Sequence, residues 1–489
     1  MFRTIRHIRE RRAIARAEGE EGPRWIFSWI HVFRGEADAR IPCDSTKLAA
    51  DMADGRYSCI GKSHSYNGVQ VVPGINAMIM GEGGLKHLAC DRATGIATVG
   101  ASVSVRELKE YLLAHGRRLI NSGNYMAQTV IGALATGTHG FGERAVMADA
   151  AVALTFLDGA GRPVTLQRGD PDFPYVALSF GTIAPIIELR IETAPIEAFV
   201  STSHVNRLSK LRELQQGTIA SNWAVLPYSD PEDPVLLLHT LAPCHAAERS
   251  ADVRKGGGWL GPIANWIIGR YQWLDKWAPL LRRPLQRLID RLGIVRRDQI
   301  QTDPRDLDYL YDPTPGLAGT RPPNILRGCF STTFTGYNLA FFVPLEKAPA
   351  VVKFIMREAD GLRDLGFYLK GVISVRELAG TTPLVFGANH REPMAAIDLF
   401  ADPRDYAWLE RLQRLALQYE PATRPHFGKS ALMPEFRVSL GPAELARLMD
   451  IHRQHYPQKS LMFSERVRAF LDVGRPLAGH AAADSGLVA

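Results

Sequence analysis

The residues best suited to chemistry in this chain sit in two loops almost free of bulk. Residues 121–142 read NSGNYMAQTVIGALATGTHGFG, with Gly, Ala, Ser and Thr around two short apolar patches and almost no charge. Residues 61–68, GKSHSYNG, open and close on glycine and carry one lysine and one imidazole. Backbone stripped of large side chains can lie directly against a flat ligand, and successive N–H groups in such loops form nests that hold anions. Two phosphate-cradle candidates in one part of the chain, 61–68 and 132–142, predict a large, flat, anionic ligand. Either loop alone is unspecific.

Other nucleotide and hydrolytic signatures are absent from the sequence. No G-x-G-x-x-G follows a strand, and no G-x-x-x-x-G-K-[ST], H-E-x-x-H or G-x-S-x-G occurs, which disfavours a Rossmann site, a P-loop, a zincin and an α/β-hydrolase. The net charge of +7 and pI of 9.1 suit anionic small ligands or an anionic membrane surface. They are too diffuse to indicate nucleic acid. Cys43, Cys59, Cys90, Cys244 and Cys329 are scattered without a C-x-x-C pair, so neither a disulfide framework nor a metal site is expected, and a reducing, cytoplasmic setting is. Residues 1–21 are Arg-rich but broken by Glu10, Glu18, Glu20 and Glu21 and lack an apolar core. They read as part of a solvated basic arm, 1–35, not as a secretory leader.

The elements that must position these loops can be read in outline. At 489 residues two or three domains are expected. Asp44 or Ser45 caps a helix over 47–53, and a short β run at 57–60 delivers the chain into the first loop. Two hairpins follow: 86–90 with 96–100 across the turn 91–95, and 151–157 with 163–166. Between them Ser104 and Glu107 form a capping box that opens a helix ended by Gly116. A strand is predicted at 186–192. Short strands and helices without regular βαβ spacing make the class α+β. A composition shift near 193–195 separates a first domain, 36–195, from a second, 196–430, with strands at 223–226, 235–239 and 338–343 and helices at 345–360 and 406–419.

Inserted in the second domain is a helical stretch, 254–297. It carries Trp259, Trp266, Trp273 and Trp277 and ten basic residues against Asp275 and Asp290. Trp and Arg on opposite helix faces predict peripheral contact with a membrane, while charged residues rule out a span; helices packed on the core through Trp are the plainer alternative. Residues 431–489 are expected to return to the first domain, with a disordered tail at 479–489.

Taken together, the motifs carry a resemblance. Gly61-Lys62-Ser63-His64-Ser65 and the later Val130-Ile131-Gly132-Ala133-Leu134-Ala135-Thr136-Gly137-Thr138-His139-Gly140 closely resemble the PCMH-type FAD-binding domain of the vanillyl-alcohol-oxidase superfamily, in its aldonolactone oxidase and alditol oxidase branch. The resemblance covers residues 40–195. It resumes at Ile373-Ser374-Val375-Arg376, similar to that branch's Glu-x-Arg segment, and at Arg424-Pro425-His426-Phe427-Gly428-Lys429, similar to its R-P-H-W-G-K box. It implies a two-subdomain FAD-binding domain followed by an α+β substrate domain.

It also implies that His64 bonds covalently to the flavin 8α-methyl group, a role open to a neutral imidazole. Gly61, Lys62, Ser63, Ser65, Gly132, Thr136, Gly137, Thr138 and Gly140 would offer donors to the pyrophosphate and flavin edge. Asn124, Tyr125 and Gln128 would face the flavin, and His139, Ile186 and His426 complete the cofactor set, His139 being equally able to serve structurally.

Lys429 and Arg376 are the implied catalytic pair. Alcohol oxidation needs a hydride acceptor, flavin N5, a group that takes or holds the hydroxyl proton, and positive charge near N1. A buried lysine beside an arginine has its pKa lowered and can serve as base, while Arg376 would position the substrate oxygen. Ser374, grouped with this pair, departs from the pattern: the branch has Glu there. Glu377 would point to the opposite face of the strand. Phe427 for Trp and Ala184 for a usual Gly are milder changes. The expectation is an FAD-dependent oxidoreductase acting on the CH–OH group of a small sugar-derived alcohol or aldonolactone, with electrons passing to O2 or a membrane acceptor. The alternatives are the oxidase half of a lipid-linked sugar epimerisation and a flavin-binding partner protein impaired by Ser374.

Overall fold

In the computed structural model the described residues are 25–28, 33–54, 57–123, 125–140, 146–181, 183, 185–196, 199–243, 295–300, 337–379, 392–437, 441–457 and 464–471. Residues 1–24 of the basic arm, the insertion up to residue 294, Asn124, Ala184 and the tail 479–489 lie outside them. The last three residues expected in the helical insertion, 295–297, are strand.

Strands β1 (Trp25–Phe27) and β2 (Arg34–Glu36) form an antiparallel pair. Strands β3 (Arg40–Pro42), β4 (Tyr57–Ile60) and β5 (Asn76–Ile79) then make a parallel sheet in the order β3-β5-β4. The helix Leu48–Asp54 follows an Asp44 turn, in which the carboxylate accepts from the Thr46 N–H at 2.9 Å and from its hydroxyl. Strand β4 is mostly buried and releases the chain directly into residues 61–68.

A six-stranded antiparallel sheet follows, from β6 (Leu88–Asp91), β7 (Ile96–Gly100), β8 (Arg117–Leu119), β9 (Ala151–Leu157), β10 (Pro163–Gln167) and β11 (Ile186–Pro195). Its order is β10-β9-β11-β7-β6, with β8 on the far end of β11. Both expected hairpins are there, β6 with β7 and β9 with β10. The turn between β6 and β7 is held by Asp91, which accepts from Ala93 and Thr94, and Gly95 supplies its positive φ of 72°. The helix Val105–Ala114 opens on the expected capping box. Ser104 Oγ accepts from the Glu107 N–H, and the Glu107 carboxylate accepts from the Ser104 N–H at 2.7 Å. Val105, Leu108 and Leu112 form its buried stripe.

The second sheet has eight antiparallel strands: β12 (Phe199–Arg207), β13 (Ala220–Val225), β14 (Val235–Pro243), β15 (Val295–Ile300), β16 (Tyr337–Pro344), β17 (Ile373–Leu378), β18 (Met394–Ala401) and β19 (Arg424–Pro425). They run in the order β15-β12-β14-β13-β17-β18-β16-β19. The helices Ala348–Gly361 and Tyr406–Tyr419 pack on each other and on β16 and β18. Every residue of β18 is buried, and all of β16 but Pro344. Antiparallel strands usually alternate apolar and polar; these do not because both faces are covered, by helices on one side and by the first domain on the other.

The first loop and the loop after β19 are stitched together directly. Asn67 Nδ2 donates to the carbonyls of Phe427 at 2.9 Å and Ser430 at 2.8 Å, and the Tyr66 N–H donates to the Gly428 carbonyl at 2.8 Å. The first loop is thereby joined to the loop after β19. The chain then returns: in the helix Pro442–His455 Arg447 pairs with Asp172 at 2.6 Å, and Tyr456 donates its hydroxyl to the Leu157 carbonyl at 2.5 Å.

Candidate active site

A cavity lies where the first loop, the second loop and one face of the eight-stranded sheet meet. Residues 61–66 form one wall and residues around the helix Val130–Ala135 another, while Asn338, Arg376, Phe400, His426 and Lys429 close the far end. Two glycines allow close approaches here, Gly61 to the Thr129 side chain on the other wall and Gly140 to the backbone within the second loop. A Cβ on Gly61 would stand 2.5 Å from Thr129 Oγ1, and one on Gly140 would stand 2.2 Å from the Ser122 carbonyl, so any side chain there would push these neighbours away.

The first loop is held in an unusual backbone shape. Among the described residues Ser63 (φ 54°) and Phe180 (φ 40°) are the non-glycine residues with positive φ, and both line the cavity. Such conformations cost about 1–3 kcal/mol each and persist where surrounding structure enforces them. The N–H groups of Lys62, Ser63 and Ser65 make no hydrogen bond within the described residues, so this loop presents donors along a wall fit for an anion. His64 lies against Tyr125, ring centroids 4.4 Å apart. Burial, reinforced by Lys62, lowers its pKa to about 4, which keeps the imidazole neutral at neutral pH.

The second loop lines the same cavity through Tyr125, Gln128, Gly132, Thr136, Thr138 and His139, and Ile186 joins them from β11. Its donors, however, are spent internally. The Gly132 N–H goes to Thr129 Oγ1, Gly137 to the Leu134 carbonyl, Thr138 to the Ala133 carbonyl and Gly140 to Asn121 Oδ1 at 2.6 Å; the hydroxyls of Thr136 and Thr138 go to the Gly132 carbonyl and Gln128. The expected donor role of this loop is thus not met by these groups, which are engaged within it; the unengaged N–H groups are those of Lys62, Ser63 and Ser65. Gly137 and Gly140 shape the loop without lining the cavity, Gly137 through its φ of 74°. Asn124 lies outside the described residues.

At the sheet end, Lys429 Nζ is 2.7 Å from Asp398 Oδ1, and Arg376 donates to the His139 carbonyl at 3.2 Å. Asp398 is fully buried in β18. Burial alone would raise its pKa, but Lys429, followed by Arg376, holds its carboxyl well below the usual carboxylate range. Burial lowers the pKa of Lys429; Asp398 opposes that and Arg376 adds to it. Burial, then Arg376 and Lys429, bring His139 down to about 3, and burial, then Lys429 and His139, hold His426 well below its ordinary value. Both imidazoles are therefore neutral neighbours of a Lys–Asp–Arg cluster.

Ser374 is not at the cavity. It is fully buried and stands directly opposite Asp398 in the β17–β18 register. Its place in the expected catalytic set is corrected accordingly: the acid near Arg376 and Lys429 comes from the next strand. Glu377 does face the other way, bonded to Ser221 at 2.9 Å and Trp223 Nε1 at 3.2 Å. Asp398 is the site residue that sequence reasoning missed. Its signal was a single acid inside the otherwise uncharged run MAAIDLFA, since an acid is rarely buried without a partner.

The cavity fits an extended flavin nucleotide. It combines one wall of unengaged N–H groups, one of small residues, and buried polar atoms without partners among the described residues at the far end: His139 Nε2, Arg376 Nε and Asn338 Oδ1.

Comparison with known proteins agrees. A family model described as an FAD binding domain matches residues 48–167. The chain is 30% identical over 182 residues to L-gulono-1,4-lactone dehydrogenase of Mycobacterium tuberculosis, covering 36% of this chain and 41% of that one. It is 32% identical over 132 residues to D-arabinono-1,4-lactone oxidase of Eremothecium gossypii, covering 26% and 23%. The matches thus span less than half the length of these curated relatives. Among solved structures, cholesterol oxidase from B. sterolicum superposes with a TM-score of 0.64 at 13% identity, over 92% of this chain and 96% of that one. A VAO-type flavoprotein from Myceliophthora thermophila C1 gives 0.56 at 15%, over 84% and 74%. Residues 48–167 therefore match an FAD-binding domain, and the chain shares the α+β fold of these solved oxidase and flavoprotein structures.

A buried neutral histidine makes stability pH-dependent. His139, at about 3 folded against about 6.5 unfolded, lets the unfolded state bind the extra proton, so stability falls as pH drops below about 6.5. Its share between pH 6.5 and 5 is about 2 kcal/mol. Urea unfolding of His139→Gln should show a pH dependence shallower by about that amount than wild type; equal slopes would contradict a neutral, buried imidazole.

Proposed function

We propose that this chain is an FAD-dependent oxidoreductase that oxidises the CH–OH group of a sugar-derived alcohol or aldonolactone. The observation that carries the reading is the meeting of Lys429, Asp398 and Arg376 with the flavin-compatible loops at one cavity. Residues 36–195 are proposed as the cofactor domain and 196–430 as the substrate domain, with 431–489 returning to the first.

FAD, when bound, supplies a hydride acceptor at N5. Lys62, Ser63 and Ser65 would hold its phosphates through backbone N–H groups, and His64, neutral and mostly buried, is proposed to carry it covalently. Arg376 would position the substrate oxygen, and Lys429 would take or hold the proton of the reacting hydroxyl. The polar groups of Asn338, Arg376, Lys429 and His139 at one end of the cavity suit a hydroxyl-rich substrate, whose oxygens need partners once out of water. The two lactone-oxidising relatives support that class. The cholesterol oxidase likeness concerns the fold alone. Neither the epimerase half-reaction nor a non-catalytic role gains support, and the acid that seemed missing at Ser374 has a counterpart in Asp398.

The electron acceptor is proposed to be O2 or a membrane carrier, as the relatives' names, one an oxidase and one a dehydrogenase, allow. Peripheral membrane contact through residues 256–297 rests on the Trp and Arg content of that stretch. Among the described residues no helix is long and apolar enough to cross a membrane.

Anaerobic mixing of purified protein with L-gulono-1,4-lactone, D-arabinono-1,4-lactone or simple polyols should bleach the yellow flavin band. Lys429→Met and Arg376→Ala should slow bleaching by roughly 100-fold or more with the bound spectrum intact. A wild type bleached by none of these compounds would overturn the reading. Acid-precipitated wild type should give a pellet that stays yellow through washing and His64→Ala a colourless one; a colourless wild-type pellet sinks the covalent link. Deleting residues 256–297 should release the protein from the membrane fraction, and an unchanged distribution argues against that anchor.

A further inference from the structure

We infer that Asp398 is the positioning residue of this site: its carboxylate, fixed on β18, aims the Lys429 amine at the cavity and sets the charge that amine carries there. The inference rests on the proposed role of Lys429. Geometry is its ground. All eight residues of β18 are buried, and Asp398 is the one charged residue among them. A buried ion pair is a poor source of stability, because apolar residues of similar volume serve a core as well or better. A lone acid in such a strand, bonded to an amine that lines a cavity, points instead to work at that cavity.

Asp398 holds Lys429 through one of its two carboxylate oxygens. Asp398 Oδ1 receives Lys429 Nζ at 2.7 Å, and Oδ2 has no partner among the described residues. Directly across the strands, Ser374 offers a small side chain whose Oγ is likewise without a partner there. Positions 374 and 398 are thus neighbours on one face of the sheet, where an acid on either strand could reach the same lysine. Lys429 is faced by Asp398 from β18, Arg376 from β17, His139 from the second loop and His426 from its own loop. Asp398 is the sole negative group of these four. Removing its charge leaves burial and Arg376, both of which favour the neutral amine.

Lys429 can be titrated without reference to turnover. Competitive acetylation across pH, read by peptide mass spectrometry on flavin-loaded protein, follows the fraction of neutral amine. In Asp398→Asn the Lys429 midpoint should move to lower pH by roughly 1–3 pH units. Exchanging the two side chains, Asp398→Ser with Ser374→Asp, should bring it part of the way back. An unmoved midpoint in Asp398→Asn overturns the inference.

In the anaerobic bleaching assay Asp398→Asn should keep its flavin, lose roughly 100-fold in reduction rate, and shift the Lys429-dependent limb of the pH profile in the same acid direction. A dead Lys429→Met beside a fully active Asp398→Asn sinks this inference alone. An active Lys429→Met sinks the functional reading, while the acetylation midpoint still decides whether Asp398 sets the amine's charge. Should Asp398→Asn fail to fold, Asp398→Glu keeps the charge but displaces it by one methylene. Slowed reduction with a preserved Lys429 midpoint then supports positioning, and a wild-type rate overturns it.

Discussion

The Asn67 side chain is the constraint on which the site depends. One primary amide spans two carbonyls of the loop after β19, and without it those carbonyls, buried among the loops, would each face a penalty of about 1–3 kcal/mol. With the neighbouring Tyr66–Gly428 bond it fixes where His426 and Lys429 stand relative to the first loop. The sheet provides Arg376 and Asp398, and the first loop provides the donors. This joint, with the Arg376 bond to the His139 carbonyl, makes them walls of one cavity.

Much of this was legible in the sequence, because local rules decided it. The Ser104–Glu107 capping box, the Asp91 turn with Gly95, and both hairpins of the first domain are short-range devices, and the chain forms them as the pattern predicts. The two small-residue loops line one cavity, while the close approaches at Gly61 and Gly140 are to protein atoms. The α+β class followed from the irregular alternation of these elements.

What was not legible depends on which strands lie side by side. The residue opposite Ser374 is fixed by the β17–β18 register, and nothing in the two segments alone announces that Asp398 stands there. Strand order in the large sheet runs far from chain order, so the acid and the lysine it binds meet only after folding. The engagement of the second loop's donors was hidden for a related reason. A Gly- and Thr-rich stretch has the composition of a nest, yet here it folds back on itself and spends its N–H groups on Thr129, Leu134, Ala133 and Asn121. Composition cannot tell a nest facing outward from one already filled.

The return of the chain after β19 sets an order of assembly. Val467 lines the cavity, and Phe470 packs near both Phe180 and Phe427. The first loop is made early in synthesis, but its partners in the joint and this last piece of wall are made hundreds of residues later. One side of the cavity is therefore closed only when segments some four hundred residues apart in the chain have come together.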